Sequence, residues 1–161
     1  MSFQKMIALL LLLLLPVTLL AACGDSWRED AAAAELAETV SAYLDAGSLA
    51  EMKESYLTGA MKLDTALFSD WVVEVNAYGV NIDEFGIFRA PDAAGVSAVE
   101  NAVRDYLQLR RDTWMDEYMP EEKPKLEKAE VKTCGLYVIY VIASEEARPQ
   151  MLAAFEQALK V

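Results

Sequence analysis

The stretch LYVIYVIA, Leu136 to Ala143, decides the fold of this chain. Alternate residues of a strand point to opposite faces, and here both sets of side chains are apolar. Such a strand is central and covered on both sides, or covered on one side and in an interface on the other. We therefore expect it to lie inside a sheet that carries helices.

The flanking sequence predicts three more strands. Leu126 to Lys132 precedes the stretch across a tight link at Cys134 and Gly135, which indicates a strand pair. Further upstream, Trp71 to Tyr78 and Ile82 to Arg89 alternate with the period of two expected of strands. Gly79 to Asn81 supplies the turn between them.

Helical spacing and capping residues predict the remaining elements. The first helix lies within Glu29 to Ser48, and a short helix from Leu49 to about Tyr56 follows it, with Ser48 and Glu51 as a capping box. A long helix begins at Pro91 and Asp92, and Pro120 and Pro124 end it. Ser144 caps a final helix. The predicted fold class is α+β: a four-stranded antiparallel sheet in ββαββα order, packed with helices and preceded by N-terminal helices.

The N-terminus has the composition of a targeting segment. Lys5 supplies positive charge, Met6 to Leu20 is apolar except for Pro16 and Thr18, and small residues follow at Ala21 and Ala22. The apolar run is shorter than the roughly 20 residues that a membrane-spanning helix needs. We interpret residues 1–22 as a removed signal peptide.

Leu20, Ala21, Ala22 and Cys23 resemble the lipobox of bacterial lipoproteins. The resemblance implies cleavage between Ala22 and Cys23, a diacylglyceryl group on the Cys23 sulfur, and attachment to the extracytoplasmic face of the cell membrane. The alternative is an ordinary secretory signal with an unmodified cysteine. The predicted organisation is a signal peptide over 1–22, a lipidated tether over 23–30 and a single domain over 31–161.

The charge of the mature chain argues against a nucleic-acid partner. Of the 14 basic side chains only Lys5 lies in the signal segment, so 13 basic side chains stand against 26 acidic ones, a formal charge of −13. Nucleic-acid affinity rests on Lys and Arg that neutralise phosphates. The acidic surface also lacks the basic patch that strengthens membrane binding. The lipid on Cys23 would therefore have to hold the protein at the membrane alone.

The sequence patterns nominate no catalytic, cofactor or metal residue. The sequence contains no His, which excludes Ser-His-Asp and Cys-His arrangements. Three carboxylate pairs are read as solvated pairs, although an acid and base pair or a calcium site is the alternative: Asp83 with Glu84, Glu121 with Glu122, and Glu145 with Glu146. Arg104, Arg110 and Arg111 could bind an anion, but we favour a solvated face that pairs with nearby acids such as Asp105 and Asp112.

Two further groups of residues favour packing over chemistry. Cys134 is interpreted as a small buried thiol, and the alternative is a reactive thiol activated by Lys132. The side chains of Met52, Tyr56, Leu57 and Met61 recur at near-helical spacing, which indicates core packing more than a methionine-rich ligand face.

The residues from about 52 to 159 resemble a family of small bacterial lipoprotein domains known as DUF4358. The matching pieces are DEFGIF from Asp83 to Phe88, Arg110 and Arg111 near the end of the long helix, Tyr118 with Pro120 and Glu122, and the strand GLYVIYVIAS. Cys134 departs from the family pattern. The resemblance implies a membrane-tethered location and this fold, and it brings no activity.

The predicted function is a membrane-anchored binding or accessory module of the cell envelope, with the membrane and an envelope protein as partners. A tethered hydrolase that uses carboxylates is the alternative, and a concave site with two acids of perturbed pKa would favour it. A purely structural envelope protein is a third hypothesis.

Overall fold

The structure, a computed structural model, describes residues 26–79 and 81–161. Its strands are β1 (Leu49–Glu51), β2 (Asp70–Asn76), β3 (Glu84–Arg89), β4 (Glu130–Cys134) and β5 (Tyr137–Ile142). Its α-helices are α1 (Ala33–Ser41), α2 (Glu54–Tyr56, continued by a π-helical segment Leu57–Met61), α3 (Val96–Asp112), α4 (Lys123–Glu127) and α5 (Ala147–Leu159). The predicted α+β class with an antiparallel sheet is confirmed.

The strands pair antiparallel in the order β1-β2-β3-β5-β4. Every residue of β5 is buried, because β3 and β4 flank it and helices cover both of its faces. The prediction of a covered central strand from LYVIYVIA is therefore confirmed.

The two faces of the sheet carry separate cores. Phe85, Ile87 and Ile139 point toward α1 and α5, while Phe88 and Val138 point toward α3. This alternation along β3 and β5 is the period of two that the sequence shows. Residues of β3 that lie two or four positions from Phe88 therefore face α3. Glu84 lies four positions before Phe88, so its side chain also faces α3.

The sheet has a fifth strand where the sequence predicted a helix. Leu49–Glu51 pairs with Asn76, Val75 and Glu74, and the helical backbone begins only at Glu54. The Ser48 hydroxyl donates to the Asp45 carbonyl oxygen at 2.7 Å instead of capping a helix. Pairing with an existing strand edge therefore prevails over the local capping pattern.

The long helix is shorter than predicted at both ends. It begins at Val96, since residues 92–95 form a turn in which Asp92 accepts a hydrogen bond from the Gly95 amide, and it ends at Asp112. Pro124 lies in the first turn of α4, a position that requires no amide donor. Leu126, predicted to start a strand, is instead the buried residue of that short helix.

Both packing interpretations are confirmed. Cys134 is buried at the end of β4. Leu57 and Met61 are buried under α3, with Met52 and Tyr56 partly buried beside them.

The N-terminal predictions lie mostly outside the described residues. These are the signal peptide over 1–22, the cleavage site at Ala22 and Cys23, the lipid on Cys23, and the first residues of the tether, 23–25. In the described part of the chain, no helix is long and apolar enough to cross a bilayer.

Candidate functional site

Glu84 is the most deeply buried acidic side chain that the structure describes, with a relative exposure of 2%. It is the first residue of β3 and lies on the same face as Phe88, so its carboxylate points under α3. A buried carboxylate is costly unless it is paired and hydrogen-bonded. Its partners therefore define the site.

Three side chains donate to this carboxylate. Tyr140 Oη lies 2.6 Å from Glu84 Oε1, and Tyr106 donates a short hydrogen bond to the same oxygen. Arg110 Nη1 lies 2.5 Å from Oε2 and 2.8 Å from Tyr106 Oη. We call Glu84, Tyr106, Arg110 and Tyr140 the Glu84 cluster.

Each hydrogen-bond partner of Glu84 lies on a helix or a strand of the domain. Tyr106 and Arg110 are four residues apart on α3 and thus share one helix face, and Arg110 also lies 5.9 Å from the Tyr106 ring centroid. Tyr140 lies opposite Gly86 on the neighbouring strand β5.

Gly86 makes room for Tyr140. A Cβ atom built on Gly86 would lie 2.4 Å from Tyr140 Cε1. Because glycine has no side chain, the tyrosine ring can lie across β3 and carry its hydroxyl to Glu84.

The cluster shifts the pKa of each of its hydrogen-bond donors. Burial and the nearby Glu84 charge raise the pKa of Tyr106 and of Tyr140 well above the usual tyrosine value. Burial alone would lower the pKa of Arg110, but the Glu84 charge outweighs it, so the pKa of the guanidinium is raised. Both tyrosines stay neutral and Arg110 stays charged across the physiological range.

A small pocket opens beside the cluster. It encloses about 180 Å³ and is lined by the polar residues Tyr56, Asn76, Asn81, Asp83, Glu84 and Arg110. We call it the Arg110 pocket. Typical ligand sites enclose about 300–1,000 Å³, so this pocket fits one chemical group more readily than a large molecule. Burial and the Glu84 charge raise the pKa of Tyr56 at its wall.

One wall of the pocket is clamped to α4. Lys125 Nζ lies 2.8 Å from Asp83 Oδ1 and 2.8 Å from Glu122 Oε2, and Glu122 accepts a hydrogen bond from the Ile82 amide at 3.0 Å. The Asn81 side chain accepts from the Asp83 amide. These contacts fix the segment that leads into β3.

Two larger hollows lie along α3, of about 330 and 440 Å³. Neither is lined by a buried charged side chain, and the larger one is mostly apolar. The Arg110 pocket is therefore the better candidate for specific recognition, although it is smaller.

The solvated-face interpretation of the arginines is wrong for Arg110 and right for Arg104. The solvated-pair interpretation of Asp83 and Glu84 is also wrong, because Glu84 is buried and Asp83 pairs with Lys125. Arg110 pairs with Glu84 and not with Asp105 or Asp112, because it continues the buried stripe of α3. Arg104 is exposed and pairs with Glu100 at 2.7 Å. Arg111 is half-exposed in the groove of 330 Å³.

The other carboxylate pairs lie apart from the cluster. Glu145 and Glu146 are exposed, as predicted. Glu121 is exposed, whereas Glu122 belongs to the clamp on Lys125. Among residues 26–79 and 81–161, no group of three potential ligands is arranged to hold a metal ion.

Tyr106 and Tyr140 were not predicted as site residues. The available signal was the spacing of Val99, Val103, Tyr106 and Arg110, which places the last two on the buried stripe of the helix. An arginine on such a stripe needs a buried acidic partner, and Glu84 on the Phe88 face was the candidate.

The comparisons with known proteins identify a family and no activity. No curated protein and no solved structure matches the chain significantly. The model of a domain of unknown function, DUF4358, matches residues 40–143, from the end of α1 to just beyond β5. Glu84, Arg110 and Tyr140, which all belong to the sequence pieces that resemble the family, meet in the Glu84 cluster. The match covers more than half of the chain, which therefore belongs to the DUF4358 family.

Proposed function

We propose that this chain is a lipid-anchored protein on the extracytoplasmic face of a bacterial cell membrane, and that its domain is a binding or accessory module. The anchor would be a diacylglyceryl group on Cys23 after cleavage behind Ala22, which the pattern of residues 5–23 supports. The binding role rests on one observation, the Arg110 pocket beside a buried, charged cluster.

The groups that line the pocket favour a ligand with hydrogen-bond acceptors. Arg110 uses only Nη1 in the hydrogen bonds of the described residues, so Nε and Nη2 retain donor capacity. Asn81 accepts through Oδ1 from the Asp83 amide, and its amide nitrogen is available to donate. A carboxylate or carbonyl oxygen of a partner matches these donors, and a guanidinium held by Glu84 is already oriented to receive it.

The same geometry disfavours the tethered hydrolase. Asp83 and Glu84 both line the pocket, but Asp83 is paired with Lys125. Glu84 accepts two tyrosine hydroxyls on one oxygen and Arg110 on the other. A general acid or base must reach a substrate proton with a carboxyl oxygen, and the oxygens of Glu84 are already engaged.

The binding role is tested by crosslinking the native lipidated protein in its membrane and identifying the products by mass spectrometry. Asn81→Trp places a large ring at the pocket, and Tyr43→Trp places the same ring at an exposed position outside the pocket. We expect one partner recovered with the wild-type protein and with Tyr43→Trp, and lost with Asn81→Trp. Equal recovery with both variants would refute the pocket as the binding site.

The anchor is tested with a cysteine pair. Cys23→Ser should abolish lipid-dependent membrane retention, whereas Cys134→Ser, at a buried position in the domain, should leave it intact. Membrane fractionation and the intact mass of the mature chain report the result. A Cys23→Ser protein that is processed and retained like the wild type would overturn the lipoprotein proposal.

A further inference from the structure

The first residues that the structure describes, 26–28, are hydrogen-bonded to the C-terminal residues of the domain. The Ser26 carbonyl accepts a hydrogen bond from the Val161 amide at 3.0 Å, and the Arg28 amide donates to the Leu159 carbonyl at 2.8 Å. Trp27 lies between them in a β-bridge with Lys160. Residues 26–28 therefore follow the surface of the domain at a defined place.

That place is the end of the sheet at the β4–β5 turn. Gly135 in this turn has φ +57°, and a Cβ built on it would lie 2.8 Å from Trp27 Cβ. The Tyr137 hydroxyl, at the start of β5, donates to the Ala31 carbonyl at 2.7 Å. We call this end of the sheet the anchor end.

The Arg110 pocket lies at the opposite end. β5 runs from Tyr137 at the anchor end to Ile142, which is opposite Glu84 in the register of β3. At about 3.3 Å per residue, the two ends of this strand are about 17 Å apart.

Only a short piece of chain separates Cys23 from the anchor end. Gly24 and Asp25 are the only residues between Cys23 and Ser26. Three Cα to Cα steps of 3.8 Å span at most about 11 Å, whatever their conformation.

From these observations we propose that the anchor end of the domain faces the bilayer surface and that the Arg110 pocket faces away from it. This inference rests on the proposed lipid on Cys23. Two acyl chains hold firmly in the membrane, and a link this short keeps the anchor end close to the lipid headgroups. The group that enters the pocket then comes from the aqueous side and not from a lipid headgroup of the same membrane.

The experiment measures the height of two labelled positions above the membrane. Glu29→Cys places a label at the anchor end, and Tyr78→Cys places one on the segment between β2 and β3, where Tyr78 is 71% exposed. Each lipidated protein is labelled with a maleimide fluorophore and reconstituted into vesicles that contain a nitroxide headgroup lipid. The wild-type protein, whose Cys134 is buried, gives the background labelling.

We expect at least about twofold stronger quenching at position 29 than at position 78. Position 29 would lie near the headgroups, whereas position 78 would lie farther from them by most of the length of a strand. A Gly/Ser insertion of about 20 residues between Gly24 and Asp25, with a reach of about 25 Å, should remove this difference. Equal quenching without the insertion, or stronger quenching at position 78, would overturn the orientation.

Flotation of the vesicles separates this result from a failure of the anchor. Protein that floats with the vesicles but shows no difference between the labels contradicts the orientation alone. Protein that does not float contradicts the lipid anchor, and the orientation falls with it.

Discussion

At the scale of single residues, the site depends on the charge of Glu84. A carboxylate with 2% exposure is tolerated because two hydroxyls and one guanidinium compensate for its lost hydration. The guanidinium depends on Glu84 in turn, since Arg110 has no other acidic partner among the described ion pairs. Removing either charge leaves the other without its counter-charge, and Glu84 would then keep only the two tyrosine hydroxyls.

Replacing Glu84 with Gln tests this dependence. The substitution keeps the shape and an acceptor oxygen, but it leaves Arg110 without a counter-charge, so we expect the free energy of unfolding to fall by about 3 kcal/mol. Glu145→Gln is the matched control, because Glu145 pairs with Lys128 on the exposed surface and should leave the denaturation midpoint unchanged. Urea denaturation of both variants measures the difference, and equal midpoints would show that the Glu84 charge stabilises nothing.

The sequence predicted where these residues lie but not what they contact. The strand DEFGIF and the helix that carries Arg110 were both expected, so Glu84 and Arg110 could be placed on the right elements. Their pairing depends on how α3 packs across β3, which no local pattern encodes. A chain with 26 acidic residues offers many partners for one arginine, and only the packed structure selects Glu84.

At the scale of elements, the contact between β3 and β5 depends on one missing side chain. Gly86 and Tyr140 are directly opposite in the register, and the tyrosine ring occupies the space that a Cβ on Gly86 would need. Two neighbouring strands thus cooperate to bring a hydroxyl from β5 to a carboxylate on β3.

Gly86→Ala should therefore be costly for a one-carbon change. The added methyl group has to displace the buried Tyr140 ring, and overpacking of this kind costs about 1–3 kcal/mol. Gly59→Ala is the control, because no atom beyond its chain neighbours and the backbone of its own helix lies within 4 Å of its Cβ position, and its stability should be equal or slightly higher. Thermal unfolding compares the two, and a Gly86→Ala protein as stable as Gly59→Ala would show that the ring moves aside freely.

Element prediction failed where tertiary pairing competed with local signals. Ser48 and Glu51 have the spacing of a capping box, yet Leu49–Glu51 extends the sheet along β2. The Asn76 side chain donates to the Ser48 hydroxyl at 3.0 Å, so that hydroxyl is used by a residue 28 positions away. Helical periodicity relates only residues a few positions apart, so it cannot predict a contact between residues 28 positions apart.

At the scale of the whole molecule, the layered architecture follows from LYVIYVIA, because a strand that is apolar on both faces needs cover on both.

The core on the α3 side of the sheet makes the stability of the domain depend on pH. The core under α3 holds Tyr106 and Tyr140, whose pKa values are both raised by burial and by Glu84. Ionising either tyrosine in the folded state would place a second negative charge beside the first.

The domain should therefore lose stability at alkaline pH. An unfolded tyrosine ionises near pH 10, while Tyr106 and Tyr140 keep their protons in the folded state, so the folded state binds more protons above that pH. By linkage, the free energy of unfolding falls as pH rises above about 10, by about 1.4 kcal/mol per pH unit for each such tyrosine. The raised pKa of Lys125 acts in the same direction, since burial alone would lower it and the hydrogen bonds to Asp83 and Glu122 outweigh burial.

Tyr140→Phe separates the slope from the overall loss of stability. The variant loses one hydrogen bond to Glu84 and is less stable below about pH 10, but it also has one fewer protected tyrosine. Its stability should therefore fall less steeply above pH 10 than that of the wild type, by about 1.4 kcal/mol per pH unit. Denaturant titrations at several alkaline pH values measure both slopes. Parallel slopes would mean that Tyr140 ionises as readily in the folded protein as in the unfolded chain, and the closed cluster around Glu84 would then have to admit water.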